Sequence, residues 1–240
     1  RTTLAPQMIH AMGRNQKRGI FEGRIFEIGN AFIPKSLPLT EYPDERKTLC
    51  VGTFGAKESF YTMKGIANGI ADSLDVAFTY EPIQKSFLHP YQAVKVLCEG
   101  TEIGYFGKAA YDIQNELSMR TSAYIMELDL KELSRWYGKK RTFQPISKFQ
   151  EEKRDLAFVM DKNISCGDVE NCIREANKYV KEIRLFDVYE GGQIPEGKKS
   201  MAFTVTFAPK EEAFDFEKVQ KFVEKICKKL QNEFNIELRG

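Results

Sequence analysis

"VKEIRLFDVYEGGQIPEGKKSMAFTVTFAP", residues 180–209, decides the fold of the second half of this 240-residue chain. Its two ends read as strands. In the second, Met201, Phe203, Val205 and Phe207 alternate with Ala202, Thr204 and Thr206, so one face is apolar and the other small or polar. The middle imitates a phosphate loop, because Gly192, Gly197 and Lys198 fall at the spacing G-x-x-x-x-G-K-[ST]. A phosphate loop joins a strand to a helix, so that the helix N-terminus faces the phosphates. This stretch joins a strand to a strand, and Lys199 stands where a hydroxyl residue would hold magnesium. It reads as a Gly/Pro-rich hairpin loop.

Outward from that hairpin the pattern stays regular. "RDLAFVMD" (154–161) alternates as a strand, and "CGDVENCIREAN" (166–177) is a helix with Val169, Cys172, Ile173 and Ala176 on one face. "DFEKVQKFVEKICKKLQNEF" (215–234) is a longer helix with Val219, Phe222, Val223, Ile226 and Leu230 inward. "IELRG" (236–240) is a last short strand. The order is βαββαβ, the ferredoxin-like arrangement of an antiparallel sheet with two helices on one face.

Upstream, residues 3–18 read as a helix with Thr3 as cap and Pro6 in its first turn. Strands follow at 24–32 and 48–54, separated by a Pro-rich loop, and then an amphipathic helix carries Phe60, Met63, Ala67, Ile70, Ala71 and Leu74. "AVKVLCEGTEIGYFGKA" (93–109) is a hairpin turning at Glu99-Gly100-Thr101, "AYIMELDL" a strand and "KELSRWY" a short helix. The polar, Pro-containing stretch 138–150 places a boundary near residue 145, giving domains 1–145 and 146–240 in an α+β chain.

Bulk properties narrow the function classes. Lys plus Arg number 36 against 34 Asp plus Glu, so net charge advertises no nucleic acid, and DNA is not an expected partner. No apolar run approaches a membrane span, and no cationic start followed by an apolar core suggests a signal peptide. Five cysteines without C-x-x-C spacing and only two histidines, His10 and His89, argue against a metal site and for reduced thiols in the cytoplasm. The start at Arg1 suggests a piece of a longer polypeptide.

The combination RDLAF, FDVYEG, GKKS and a terminal LRG, in that order, resembles the ferredoxin-fold anticodon-binding domain that closes the β subunit of bacterial phenylalanyl-tRNA synthetase. "RTTLAPQMIHAMGRNQKRG", "RIFEIGNAF", "FYTMKGIANGI", "FLHPYQAVKVLCEGTEIGYFGKA" and "MELDLKEL" are similar to the class II synthetase-like core domain of that subunit. The resemblance implies an antiparallel sheet with helices that copies the synthetase fold without catalysing, followed by an RNA-binding domain. It implies an α subunit that activates phenylalanine with ATP and magnesium in an (αβ)2 enzyme, and tRNA(Phe) as partner. No cofactor and no catalytic residue are expected within this chain. No F-R-x-E-like strand or G-x-G-x-E-R-like helix start occurs. "HPYQAV" stands where the family usually reads H-P-G-R-S-A, and "GKAAYD" where it reads G-E-L-H-P.

By matching positions, the resemblance points to Tyr189, Ser200 and Arg239 as RNA contacts: a base stack, a base-edge or ribose hydrogen bond, and a guanidinium on base or phosphate. Lys198 and Lys199 on the loop are candidate phosphate contacts, and Lys153 and Arg154, before the first strand, are expected to border the same face. Residues 148–240 hold 17 Lys plus Arg against 18 Asp plus Glu, so any RNA site there is a local patch with aromatic stacking. Two other readings are an amino-acid-sensing ferredoxin-like regulatory module and an assembly scaffold that never touches RNA.

Overall fold

The computed structural model describes residues 1–136, 148–209 and 212–238. The chain divides into two compact units, Arg1–Thr142 and Phe143–Gly240. The boundary expected near residue 145 lies outside the described residues.

The first unit runs α1 (Ala5–Lys17), β1 (Gly23–Ile33), β2 (Asp44–Phe54), α2 (Phe60–Leu74), β3 (Phe78–Pro82), β4 (Leu88–Cys98), β5 (Thr101–Ala109), α3 (Tyr111–Glu116), β6 (Ala123–Asp129) and α4 (Leu130–Ser134). Its six strands form one antiparallel sheet in the order β1-β2-β6-β5-β4-β3. Both faces are covered. Cys50, Phe54, Tyr105 and Ile125 pack with Met8 and Met12 of α1, while Val51, Phe106, Met126 and Leu128 pack with Met63 and Ala67 of α2 and Leu133 of α4. Hence β6 is buried almost throughout rather than alternating. Short β3 and α3 carry too few residues to announce themselves by periodicity. The expected turn is real, since Glu99 and Gly100 both have positive φ, as a two-residue hairpin with the twist of its strands requires.

Among the described residues two charged side chains are buried in this unit, Lys108 and Glu127, and the second anchors a helix. Glu127, 7% exposed, sits mid-strand in β6 and reaches the start of α1. Its carboxylate accepts from Thr3 Oγ1 at 2.8 Å, from the backbone N–H of Leu4, from Ala5 N at 2.9 Å and from the Tyr105 hydroxyl. A helix begins with unpaired N–H groups and a partial positive charge. Glu127 satisfies both needs, which Thr3 was expected to meet. Thr3 Oγ1 does accept from Ala5 N, at 3.2 Å, but it mainly hands its own proton to the carboxylate. Burial, and then the Glu127 charge, push the Tyr105 phenol far up, so it stays a donor.

The second unit runs β7 (Glu152–Asp161), α5 (Cys166–Ala176), β8 (Val180–Tyr189), β9 (Lys198–Phe207), α6 (Phe216–Phe234) and β10 (Glu237–Leu238). Its antiparallel sheet has the order β10-β7-β9-β8. This is the βαββαβ order read from the sequence. Ser165 accepts from Asp168 N at 3.1 Å to cap α5, and Asp215 accepts from Lys218 N at 2.7 Å to cap α6. Leu156, Phe158, Met160, Met201, Phe203, Val205 and Phe207 point to one side and bury against Val169, Ile173, Val219, Val223, Ile226 and Leu230. Each such side chain is worth about 1.5–3 kcal/mol of burial.

Replacing Glu127 by Ala leaves the Leu4 and Ala5 N–H groups and the Tyr105 hydroxyl without their acceptor. The expected loss is on the order of 3 kcal/mol in the first unit. Glu127→Gln, which keeps one carbonyl oxygen, should lose less. Urea unfolding followed by circular dichroism measures both, and an unchanged midpoint for Glu127→Ala would remove this carboxylate as the anchor of α1.

Candidate nucleic-acid interface

Because α5 and α6 cover one side of the β7-β9-β8 sheet, the residues between the core positions face the other way. Antiparallel register then brings specific pairs together. Ser200 lies opposite Val159 on one neighbour and Tyr189 on the other. The next row inward is Ala157, Ala202 and Asp187, and the next Asp155, Thr204 and Arg184, where Thr204 Oγ1 donates to Asp155 Oδ1 at 2.6 Å. The two alanines form a low floor. Tyr189 at 39% exposure and the exposed Asp187 stand at its β8 edge.

Tyr189 and Ser200 are therefore adjacent on the open face. Ser200 is 4% exposed and presents hardly any surface in this state. Lys198 and Lys199 are the first two residues of β9 rather than part of the loop, and the strand separates them. Lys198 pairs with Asp161 on the open-face parity, whereas Lys199 pairs with core residue Met160 and so belongs to the helix side. Arg154 is displaced from its expected place for the same reason. It lies within β7 opposite core residue Val205, donates to Glu152 Oε2 at 3.0 Å, and holds its guanidinium 6.0 Å from the Phe216 ring at the start of α6. It does not border the open face; Lys153, opposite Thr206, does. Arg239 lies outside the described residues.

The sequence reading passed over Asp187, Ala157 and Ala202. Strand parity counted from Met201 and Phe158 reaches the alanines. Asp187 comes into its row only through a register shift between Leu185 and Asp187.

The loop after β8 is braced. Lys162 N donates to Gly197 O at 3.0 Å, Ile194 N to Gly191 O at 2.9 Å, and Lys162 Nζ lies 2.8 Å from Glu190 Oε2. Hydrogen bonding to that ammonium holds the Glu190 carboxyl below its ordinary value. No helix follows the loop, so its glycines and lysines do not cradle a phosphate chain.

The first unit has a cavity of about 280 Å3 over the sheet, lined by Thr3, Arg46, Glu102, Tyr105, Glu127 and Asp129, with Glu132 at its rim. Four of these residues are carboxylates. The one guanidinium is paired with Asp44 at 2.9 Å, and Glu127 is spent on α1. A nucleoside triphosphate would meet net negative charge, so these residues do not fit ATP. Among the described residues, no three His, Cys, Asp or Glu side chains converge on a point suited to magnesium. Among them too, no helix is long and apolar enough to cross a membrane.

Two family models match this chain: one described as the phenylalanyl tRNA synthetase beta chain CLM domain over residues 1–130, and one as the ferredoxin-fold anticodon binding domain over residues 147–239. The phenylalanine–tRNA ligase beta subunit of Bacillus subtilis is 31% identical over 252 residues, taking in 100% of this chain and 31% of that protein. That of Clostridium tetani is 31% identical over 243 residues, taking in 100% of this chain and 30% of the relative. The chain thus spans under a third of the length of the curated relatives it matches. A solved pyrrolysyl tRNA synthetase of Desulfitobacterium hafniense is similar at a TM-score of 0.44 and 16% identity, over 56% of this chain and 48% of that one, too distant to carry an argument.

The Lys162–Glu190 pair should respond to acid. A depressed carboxyl value contributes stability above the unfolded value of about 4.3 and loses it as pH falls through the lower folded value. The protection factors of the Ile194 and Lys198 amides, which donate to the Gly191 and Pro195 carbonyls, should therefore fall below about pH 4 while the β9 core amides stay protected. Equal protection at pH 3 and pH 6 would show that the ion pair does not brace the loop.

Proposed function

The chain belongs to the phenylalanyl tRNA synthetase beta chain family, and from that membership we propose that its second unit binds the anticodon arm of tRNA(Phe) through its open sheet face. The observation that carries this reading is the row in which Tyr189 stands beside Ser200 at the edge of a floor of alanines, one step from the exposed carboxylate of Asp187. Unpaired bases offer flat π-faces and hydrogen-bonding edges. Tyr189 supplies a stacking surface worth roughly 1–3 kcal/mol per base. Asp187 only accepts hydrogen bonds, so it favours a base edge rich in N–H donors. The low floor lets a base approach the sheet backbone. Arg239, two residues beyond Glu237 of the edge strand β10, remains part of the proposed contact set by its match to the family pattern.

The first unit serves assembly. One edge of its sheet exposes apolar side chains: Phe26 is 72% exposed and Ile28 52%, both on one face of edge strand β1, and exposed Leu37, Leu39 and Tyr42 follow in the next loop. A patch of this kind marks a protein contact. We assign it to the α subunit of an (αβ)2 phenylalanine–tRNA ligase in the cytoplasm, where the α subunit holds ATP and magnesium and charges the tRNA. No catalytic step is assigned to this chain. The amino-acid sensor is not favoured, because the Gly-rich loop is braced within its own unit and both units match a ligase subunit.

The face carries few cations: Lys153, Arg184 and Lys198. Binding of a phenylalanine anticodon hairpin should therefore depend weakly on salt, with log K falling against log salt at a slope of about −1 to −2. Tyr189→Ala should weaken binding about tenfold, and a hairpin with a swapped anticodon should bind less well. Arg154→Ala should change affinity less than about twofold. Equal affinity for native and swapped hairpins, or a large loss with Arg154→Ala, would refute the assignment of the open face.

A further inference from the structure

We propose that Gly191 is a positioning residue: by having no side chain, it provides the space in which the Tyr189 ring lies and so presets that ring for base stacking. This rests on the reading of the open face as an RNA platform. A Cβ built on Gly191 would overlap the Tyr189 Oη and Cζ outright and would stand 2.7 Å from Cε2. The ring therefore folds back over the backbone two residues further along, into a volume that only glycine leaves empty.

The backbone cannot easily yield instead. Gly191 O accepts from Ile194 N at 2.9 Å, Glu190 is paired with Lys162 at 2.8 Å, and Gly197 O accepts from Lys162 N at 3.0 Å. With both flanks braced, a methyl group at 191 must move the phenol. The ring is 39% exposed, so it can swing outward. A ring that is already placed gives up little freedom when a base stacks on it, whereas a displaced one must be re-ordered.

The neighbouring residue supplies an internal control. A Cβ on Gly192 meets nothing within 4 Å, and neither glycine has a positive φ. Gly191→Ala and Gly192→Ala stiffen the same loop to a similar degree, yet only the first enters the space of Tyr189.

The test uses the whole chain with 3-fluorotyrosine incorporated, Tyr189→Phe assigning the resonance, and a hairpin RNA bearing the phenylalanine anticodon. Gly191→Ala is expected to move the Tyr189 fluorine resonance and to weaken hairpin binding about fivefold to tenfold. Gly192→Ala should leave both within error, or within about twofold for binding. In a Tyr189→Ala background, Gly191→Ala should add no further loss. Wild-type binding that is matched by Gly191→Ala, a resonance that stays in place, or equal losses from the two glycine variants would overturn the proposal. A wild-type chain that fails to bind the hairpin at all would instead overturn the RNA reading beneath it, and the unlabelled comparison of wild type with Gly191→Ala separates the two failures.

Discussion

Helices α5 and α6 lie on the same side of a four-stranded sheet, and the layout of the second unit follows from that one-sidedness. Successive residues of a strand point to opposite faces. Once Phe158, Met160, Met201, Phe203 and Val205 are committed to the helices, the identity of every outward residue is settled. The same rule that brings Tyr189 beside Ser200 sends Arg154 and Lys199 away from them. A cation one position from a site along a strand is useless to it, because an odd step crosses to the other face of the sheet.

The first unit solves a different problem. Its sheet is covered on both faces, so a charged residue in the central strand β6 has nowhere to be solvated. Glu127 is tolerated because the start of α1 offers backbone N–H groups and Tyr105 adds a hydroxyl. A buried carboxylate so engaged is not available as an acid, a base or a metal ligand. The cavity above it is further soured for phosphate by Glu102, Asp129 and Glu132. The central strand of this unit thus spends its buried carboxylate on holding helix α1.

Much of this was legible in the residues themselves. The alternation in 154–161 and 200–207 announced β7 and β9, and the helical spacing in 215–234 announced α6. Arg154 was expected beside the open face although the strand read over 154–161 already contains it. The run Arg154, Leu156, Phe158, Met160 already carries the parity that assigns it to the helix side. Other features were out of reach. Glu127 meets partners more than 120 positions away, so no local pattern could pair them. The pairing of Tyr189 with Ser200 depends on how many residues the hairpin loop consumes, and Asp187 on a register shift. Gly191 and Gly192 are indistinguishable in composition and differ only in what a Cβ would strike.

The register shifts in β8 have a bearing on how the molecule survives in a crowded solution. Among the described residues β8 is the last strand of its sheet, and it carries exposed Phe186 and Val188. A flat strand of that composition invites a second chain to zip onto it. Its register shifts between Val180 and Glu182 and between Leu185 and Asp187 interrupt the regular ladder, and bulges of this kind are one way edge strands are kept from pairing with another chain. The same irregularity that brings Asp187 into line with the alanines thus also makes the edge a poorer template for a second strand.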